Sequence, residues 1–309
     1  MKNYVRIKRS TVKFNYLNRG AFLKKGYIYS VLSAILFGTC GIIIKIAFSE
    51  GADSINILIL QYMMSIPIMF LSILVTDRKA LKMGKRNLYH TAVLGIVGNT
   101  FMTVFYYMAF NYLDVSMVTI LLYTYPAMVF IYSVIFEKMK MNFNKVFALI
   151  VTFIGCFLAL GLNQGIKTFS TKGFMYGILA AVFYAFMNIY TEKKMNTLNP
   201  LAVNFYSIIF SFLALIAFKF PVEVFRQDLN EKLIACIIVL AVLCEIIPLT
   251  LLYAAIKHIG SLKVSIIGNL EIPTAMLLSF FILKEPLTPL QIFGAALVIY
   301  AVYNIRKID

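Results

Sequence analysis

The chain has no tryptophan, only two histidines, and 13 acidic residues among 309. Charged residues make up 14% of it, against about 25% in soluble domains. His90 and His258 have no carboxylate cluster beside them in sequence, which gives no basis for metal or acid–base chemistry. The four cysteines, Cys40, Cys156, Cys236 and Cys244, lie inside apolar runs without metal-ligand spacing and read as small buried hydrophobes. No nucleophile elbow, glycine-rich phosphate loop or zinc spacing is present. Neither a catalytic set nor a cofactor or metal is therefore expected. Long polar stretches are missing too, so there is no room for a soluble catalytic or nucleic-acid-binding domain.

What the chain has in excess is apolar surface: 61% hydrophobic residues and a mean hydropathy of +0.86. A soluble protein of this length cannot bury so much, so lipid must be its solvent. A membrane-spanning helix takes about 20 apolar residues. Ten such segments can be read, at roughly 26–48, 54–75, 89–110, 115–136, 143–161, 173–192, 200–219, 232–256, 263–283 and 288–305. The expected fold is an all-α, multi-pass membrane protein with ten transmembrane helices. Asn199-Pro200 reads as N-cap and first residue of the seventh helix, and Thr288-Pro289-Leu290-Gln291 as a capping box opening the tenth. With no tryptophan, Tyr27, Tyr29, Tyr89 and Tyr303 must serve as interfacial anchors.

The formal net charge of +16 would suggest nucleic acid in a soluble protein; here it reports orientation. With the N-terminus inside, the tail, the even-numbered loops and the C-terminus hold 22 Lys/Arg, the other loops 6, and Lys45 lies within the first span. That bias places both termini in the cytoplasm and accounts for the basic charge without nucleic acid. Residues 1–25, with eight Lys/Arg and no acid, form a basic cytoplasmic extension. An alternative use for them is a surface patch for anionic lipid.

The chain also repeats. At a shift of 147, YSVLSAILFG (29–38) lies over YGILAAVFYA (176–185). Ser30, Ala34 and Gly38 match Gly177, Ala181 and Ala185, small-residue stripes that let helix backbones approach closely in lipid. Pro126 matches Pro273 at the same shift, and the fifth and tenth segments match at 146. Residues 26–161 and 173–305 are thus expected to be two five-helix repeats. An odd number of spans inverts the second relative to the first, as in many secondary transporters.

ILLYTYPAMVFIYSVIFEKMKMN, its twin NLEIPTAMLLSFFILKEPLT and the opening KKGYIYSVLSAILFG resemble the EamA-type transporters of the drug/metabolite transporter superfamily. The resemblance runs over about residues 24–305. It implies a ten-helix carrier of a bacterial inner (plasma) membrane, usually an exporter of amino acids or other small metabolites. In this chain Ile272 separates Glu271 from Pro273, where the family usually has the acid next to the proline.

Ionisable groups at mid-bilayer cost from about 2.5 kcal/mol upward and need a reason. Counting 1.5 Å per residue from the expected span ends puts Glu245 and Glu271 about 10–12 Å from the cytoplasmic boundary. Two carboxyls at one depth on adjacent helices point to proton coupling or to a substrate amine; the alternative is a structural hydrogen bond for each. Asn99, Tyr123, Tyr184 and Asn188 are further polar positions at intermediate depth. With the two acids they would line a substrate cavity between the halves, or else bridge helices. Pro67, Pro126, Pro248 and Pro273 cannot donate to the carbonyls of Met63, Leu122, Cys244 and Asn269, so each marks a kink or a gating hinge. Lys45 and Glu192, near span ends, are expected to snorkel to the interface.

The function these features favour is alternating-access transport of a small metabolite, amino acid or similar amphiphile, in the direction of efflux. Its partners would be the substrate, protons as coupling ion, and membrane lipids. A flippase for a lipid-linked or amphiphilic substrate and a non-transporting scaffold are the alternatives. The sequence carries no signal for an oligomeric state.

Overall fold

In a computed structural model, the described residues are 2–50, 54–113, 115–139, 143–161, 170–218, 230–284 and 286–305. The side chains of 1–19, Lys45, Ser54, Phe110, Val115, Phe218 and Leu283 lie outside that description, and with them the expected role of Lys45. Ten helical rods follow one another among the described residues. They are α1 (Lys2–Ser49), α2 (Ser54–Thr76), α3 (Lys85–Val93, Leu94–Thr100, Phe101–Phe110), α4 (Val115–Leu122, Tyr125–Ile135) and α5 (Phe143–Ala159). The rest are α6 (Thr171–Tyr190, Thr191–Met195), α7 (Pro200–Phe218), α8 (Glu231–Val239, Leu240–Ile246, Ile247–Ile259), α9 (Ser261–Gly268, Glu271–Leu278, Ser279–Leu283) and α10 (Pro289–Ile305). Helices suit lipid because each satisfies its own backbone hydrogen bonds.

Eight rods are long and apolar enough to cross a membrane. The other two, α5 and α10, are apolar helices of 17 residues each, about 25 Å long, at the lower limit for a crossing. They pack against each other so closely that a Cβ on Gly155 would lie 2.8 Å from the Gly294 carbonyl oxygen. The first helix starts far upstream of the expected residue 26, at Lys2.

Both helix starts read from sequence are present. Asn199 Oδ1 accepts from the Leu201 N–H at 3.0 Å. Thr288 and Gln291 exchange bonds, with Gln291 N donating to Thr288 Oγ1 at 3.3 Å and Thr288 N to Gln291 Oε1 at 2.9 Å.

The duplication is sharper in the structure than in the sequence. Starts at 54, 85, 115 and 143 recur at 200, 231, 261 and 289, a constant offset of 146. The internal features keep that offset. A π-helical turn interrupts α3 at Leu94–Thr100 and α8 at Leu240–Ile246, and breaks before Tyr125 in α4 and Glu271 in α9 coincide. Packing follows the same exchange: α1 lies on α8 and α9 as α6 lies on α3 and α4, and α2 meets α8 as α7 meets α3. The halves are thus interleaved by a two-fold relation. The small-residue stripes fill these contacts, with Ala34 2%, Ala181 0% and Ala185 4% exposed.

Three of the four prolines sit at irregularities. Pro126 and Pro273 follow the breaks of α4 and α9, and Pro248 follows the π turn of α8. Pro273 stands one residue further from its break than Pro126 does, because Ile272 intervenes. Pro67 lies within the continuous α2. The Glu192 carboxylate accepts from the Ser261 N–H at 3.0 Å and from the Ser261 hydroxyl, capping the N-terminus of α9, where the first N–H groups of a helix lack intrahelical partners.

Candidate functional site

Glu245 is the sixth residue of the α8 π turn. A wide turn leaves its carbonyls imperfectly paired and re-aims side chains, which is why such turns collect at functional sites. Gln61 Nε2, on α2, donates to Glu245 Oε2 at 3.0 Å. The two-fold counterpart of Glu245 is Asn99, sixth in the α3 π turn, and that of Gln61 is Ser207 on α7. Each half-site thus sets a polar residue of the turn beside a polar residue of the next helix. The Tyr253 hydroxyl faces both Ser207 and Asn99, although neither Asn99 polar atom nor Tyr253 Oη completes a hydrogen bond of good geometry. Asn99 is 4% exposed. An amide or a phenol left without a hydrogen bond in a buried position costs about 1–3 kcal/mol.

Glu271 opens the second segment of α9, directly after the break. The Tyr123 phenol, at the matching break of α4, faces its carboxyl. Tyr184 on α6 lies within Coulombic range of the same carboxyl and packs its ring on Tyr125 at 4.3 Å. Tyr125 is the counterpart of Glu271, and its hydroxyl donates to the Ser265 carbonyl at 3.1 Å. Asn188 Nδ2 donates to the Tyr184 carbonyl at 2.9 Å, one turn back on the same helix, leaving Oδ1 unpaired in a fully buried position. Cys40 on α1 lies within Coulombic range of both Glu245 and Glu271.

Of the six polar positions read from the sequence, Tyr123 faces Glu271, Tyr184 lies within Coulombic range of Glu271 and Tyr253, Asn99 faces Tyr253, which lies within Coulombic range of Glu245, and Asn188 bonds to the Tyr184 backbone. The two acids do not bond each other among the described contacts: each has its own neutral partner. Sequence reasoning missed Gln61, Tyr253, Ser207, Cys40 and Asn204. Asn204 is fully buried and donates to the Ile246 carbonyl at 3.3 Å and to Thr250 Oγ1 at 3.0 Å, which satisfies the loosened π turn. Gln61 could have been found, because it interrupts the run ILILQYMM in the middle of a span.

A crevice of about 380 Å³ enters from the side between α4, α5 and α9. Phe153 and Ile154 flank its mouth, 44% and 47% exposed. Tyr123, Thr124 and Asn269, at the two helix breaks, line it, and the Asn269 Oδ1 is buried without a partner. Among the described residues no group of three or more His, Cys, Asp or Glu is placed to hold a metal ion.

The EamA-like transporter family matches this chain twice, over residues 24–161 and 171–306. A curated relative from Archaeoglobus fulgidus, named an uncharacterized transporter, is 25% identical over 91% of this chain and 96% of its own. The uncharacterized transporter YcbK of Bacillus subtilis is 21% identical over 90% of this chain and 91% of its own. A solved crystal structure, 13% identical, superposes with a TM-score of 0.75 over 93% of this chain and 99% of its own, which establishes the same fold.

Proposed function

The chain belongs to the EamA-like transporter family, and from that premise we propose that it is a ten-span, proton-coupled secondary transporter working by alternating access. A transporter of this family is a multi-pass membrane protein with a small-molecule substrate. In the proposed arrangement α5 and α10 complete ten crossings, the halves are inverted repeats, and both termini face the cytoplasm of a bacterial cell across its inner membrane. The substrate is a small metabolite with an apolar body and a few polar groups, exported from the cell.

The observation that carries this reading is the equivalence of Glu245 and Asn99. Two π turns, related by the exchange of halves, carry an acid and an amide at the same position, on either side of Tyr253. A two-fold about an axis in the membrane plane lets each half-site serve one side in turn. Aromatic rings around the acids, Tyr123, Tyr125 and Tyr184, supply apolar area, while Asn and Glu fix orientation.

The test has two parts. A ligand that binds the folded state raises its stability, so thermal unfolding of the full chain across amino acids and small metabolites selects a compound, and its saturable uptake into proteoliposomes should follow. Absence of uptake for every stabilising compound would leave a scaffold. For topology, a cysteine replacing Lys79 should resist an impermeant thiol reagent in intact cells, and one replacing Ser49 should react, once the native cysteines are replaced. The reverse pattern removes the assigned orientation. The side crevice reaching Tyr123 favours a second reading, movement of an amphiphilic or lipid-linked substrate. Transfer of a headgroup-labelled amphiphile between leaflets distinguishes it from transport of a water-soluble solute.

A further inference from the structure

The two-fold relation of the halves is not kept at the two ends of the bundle. Where α6 stops and α9 starts, the last segment of α8 packs on α7 and on the π turn of α6, and the first segment of α9 packs on the second segment of α4. The two-fold counterparts of these contacts lie at the opposite end. They would join the last segment of α3 to α2 and to the end of α1, and the first segment of α4 to the second segment of α9. None of these pairs is closely packed among the described residues. One end of the bundle is therefore drawn together and the other is parted.

Two polar ties cross the closed end. Glu192, in the π turn of α6, accepts from the N–H and the hydroxyl of Ser261, the first residue of α9. Gly260, just before it, has φ +81°, a conformation that favours glycine. A Cβ there would lie 3.1 Å from the other Glu192 carboxylate oxygen, so the turn between α8 and α9 is shaped to receive this side chain. In return Lys257, near the end of α8, donates to the Leu198 carbonyl, beyond the end of α6, at 3.1 Å. Neighbouring ties do not cross. Tyr190 meets His90 of α3 and Lys193 pairs with Glu137 at the end of α4, and α6 packs along both helices. At the opposite end Glu50 pairs with Lys232, but α1 and α8 are likewise packed together.

At the counterparts of Glu192 and Ser261, offset by 147 and 146, the sequence has Lys45 and Val115. A lysine offers no acceptor to a helix start, and the positive end of the helix dipole repels it. The same catch cannot form at the parted end. We propose that Glu192 is the catch of a clasp that holds one end of the bundle shut and sets the resting state of the protein. The inference rests on the alternating-access reading and adds which of the two states the empty chain prefers, and what holds it there. Passage to the other state must part α6 from the turn between α8 and α9.

Spin labels report both ends. With the four native cysteines replaced by alanine, one sample carries labels at Lys25→Cys and Asn196→Cys, exposed positions on α1 and just past α6. A second carries them at Lys172→Cys and Ser49→Cys, the exposed two-fold counterparts of that pair. Distances are measured by double electron–electron resonance on the full chain in phosphatidylcholine vesicles, with no compound added. Glu192→Ala should add a longer distance between 25 and 196 and a shorter one between 49 and 172. The ratio of the two populations should change about tenfold, as loss of a helix cap does. Glu192→Gln, which keeps one acceptor, should move the ratio less, and Lys257→Gln should move it in the same direction. Unchanged distances in these variants overturn the proposal. So does lengthening between 25 and 196 without the opposite change between 49 and 172, which is fraying of α6 alone. If Glu192→Ala fails to fold, the two Gln variants decide. Uptake by the unsubstituted protein is measured separately. Shifting populations without uptake of any compound leave the clasp standing and remove the transport reading; uptake with unmoved populations does the reverse.

Discussion

The two half-sites share a backbone and differ in charge. In the second half the α8 π turn carries Glu245, and Gln61 donates to it. In the first half the matching turn of α3 carries Asn99, and the residue in place of Gln61 is Ser207. At the breaks, Glu271 stands where the first half has Tyr125. Both acids of the cluster, half-buried Glu245 and Glu271, thus belong to the second half, and their counterparts are neutral. Under the proposed alternating access, symmetry would supply two equivalent ways of opening, and proton coupling would rest on the carboxylates of one side alone, with an amide and a phenol on the other.

The largest effect should come from removing that difference. Glu245→Gln or Glu271→Gln keeps the shape and deletes the titrating group. Each should abolish flux driven by a pH gradient in proteoliposomes, a loss of at least about tenfold, with the protein still folded. Asn99→Leu should leave the pH dependence in place. Unchanged pH dependence in both Gln variants reduces the acids to structural hydrogen-bonders.

Packing offers the next contrast. Gly95 of α3 and Ala241 of α8 are counterparts, yet only the second tolerates a Cβ: one added at Gly95 would lie 2.2 Å from the Ser207 carbonyl oxygen. Gly95→Ala should destabilise by about 1–3 kcal/mol, as overpacking does, seen as lower thermal stability in detergent. Ala241→Gly should cost about 1 kcal/mol or less. Equal losses at the two positions would show that the halves pack alike.

A smaller effect is expected in binding. The shift of 147 that aligns α1 with α6 sets Phe37 opposite Tyr184 and Gly41 opposite Asn188, so the phenol and the amide exist on one side alone. Tyr184→Ala and Asn188→Ala, made singly, should each weaken binding of the stabilising compound by about 1 kcal/mol or more. Lower thermal stability with unchanged affinity in both variants would assign them to helix bridging.

The smallest effect lies at the end of α1. Glu50 accepts from Asn230 at 2.9 Å and pairs with Lys232, whereas the other pairing of helices has Arg86 in place of Lys232 and Thr197 in place of Glu50. Lys232 foremost, then Asn230, holds the Glu50 carboxyl below its ordinary value of 4.5. A depressed carboxylate contributes stability that is present above its unfolded value and lost as pH falls through its folded one. Glu50→Gln should therefore lower thermal stability slightly at neutral pH, and the difference should vanish once the pH is low enough to protonate the wild-type acid. An exposed pair is screened by salt, so the difference should also shrink at high ionic strength.

Much of this architecture could be read in advance because lipid is a demanding solvent. The apolar runs, the Asn199 and Thr288 starts, the matched prolines 126 and 273 and the small-residue stripes each follow from one-dimensional rules. The π turns do not: LGIVGNT and LAVLCEI contain no residue that forces a backbone to widen. Tyr253 gave no signal either, as one of 19 tyrosines; only its position between Ser207 and Asn99 singles it out. For Glu192 the sequence indicated a place near a boundary but not that the N-terminus of α9 lies beside it.

By itself, the sequence determined the solvent, the helical class, the existence of a repeat and the short set of polar residues that lipid burial makes costly. Those are local properties, fixed by what each stretch of chain must do with its own backbone and side chains. Tertiary structure alone decided that the register of 146 runs through the second to fifth helices of each half, how the halves interleave, and which polar groups meet. The pairings Glu245 with Gln61, Glu271 with Tyr123, and Tyr253 with Asn99 join residues far apart in the chain. They depend on helix rotation and on turns a single residue wider than the α-helix, and no local pattern encodes either.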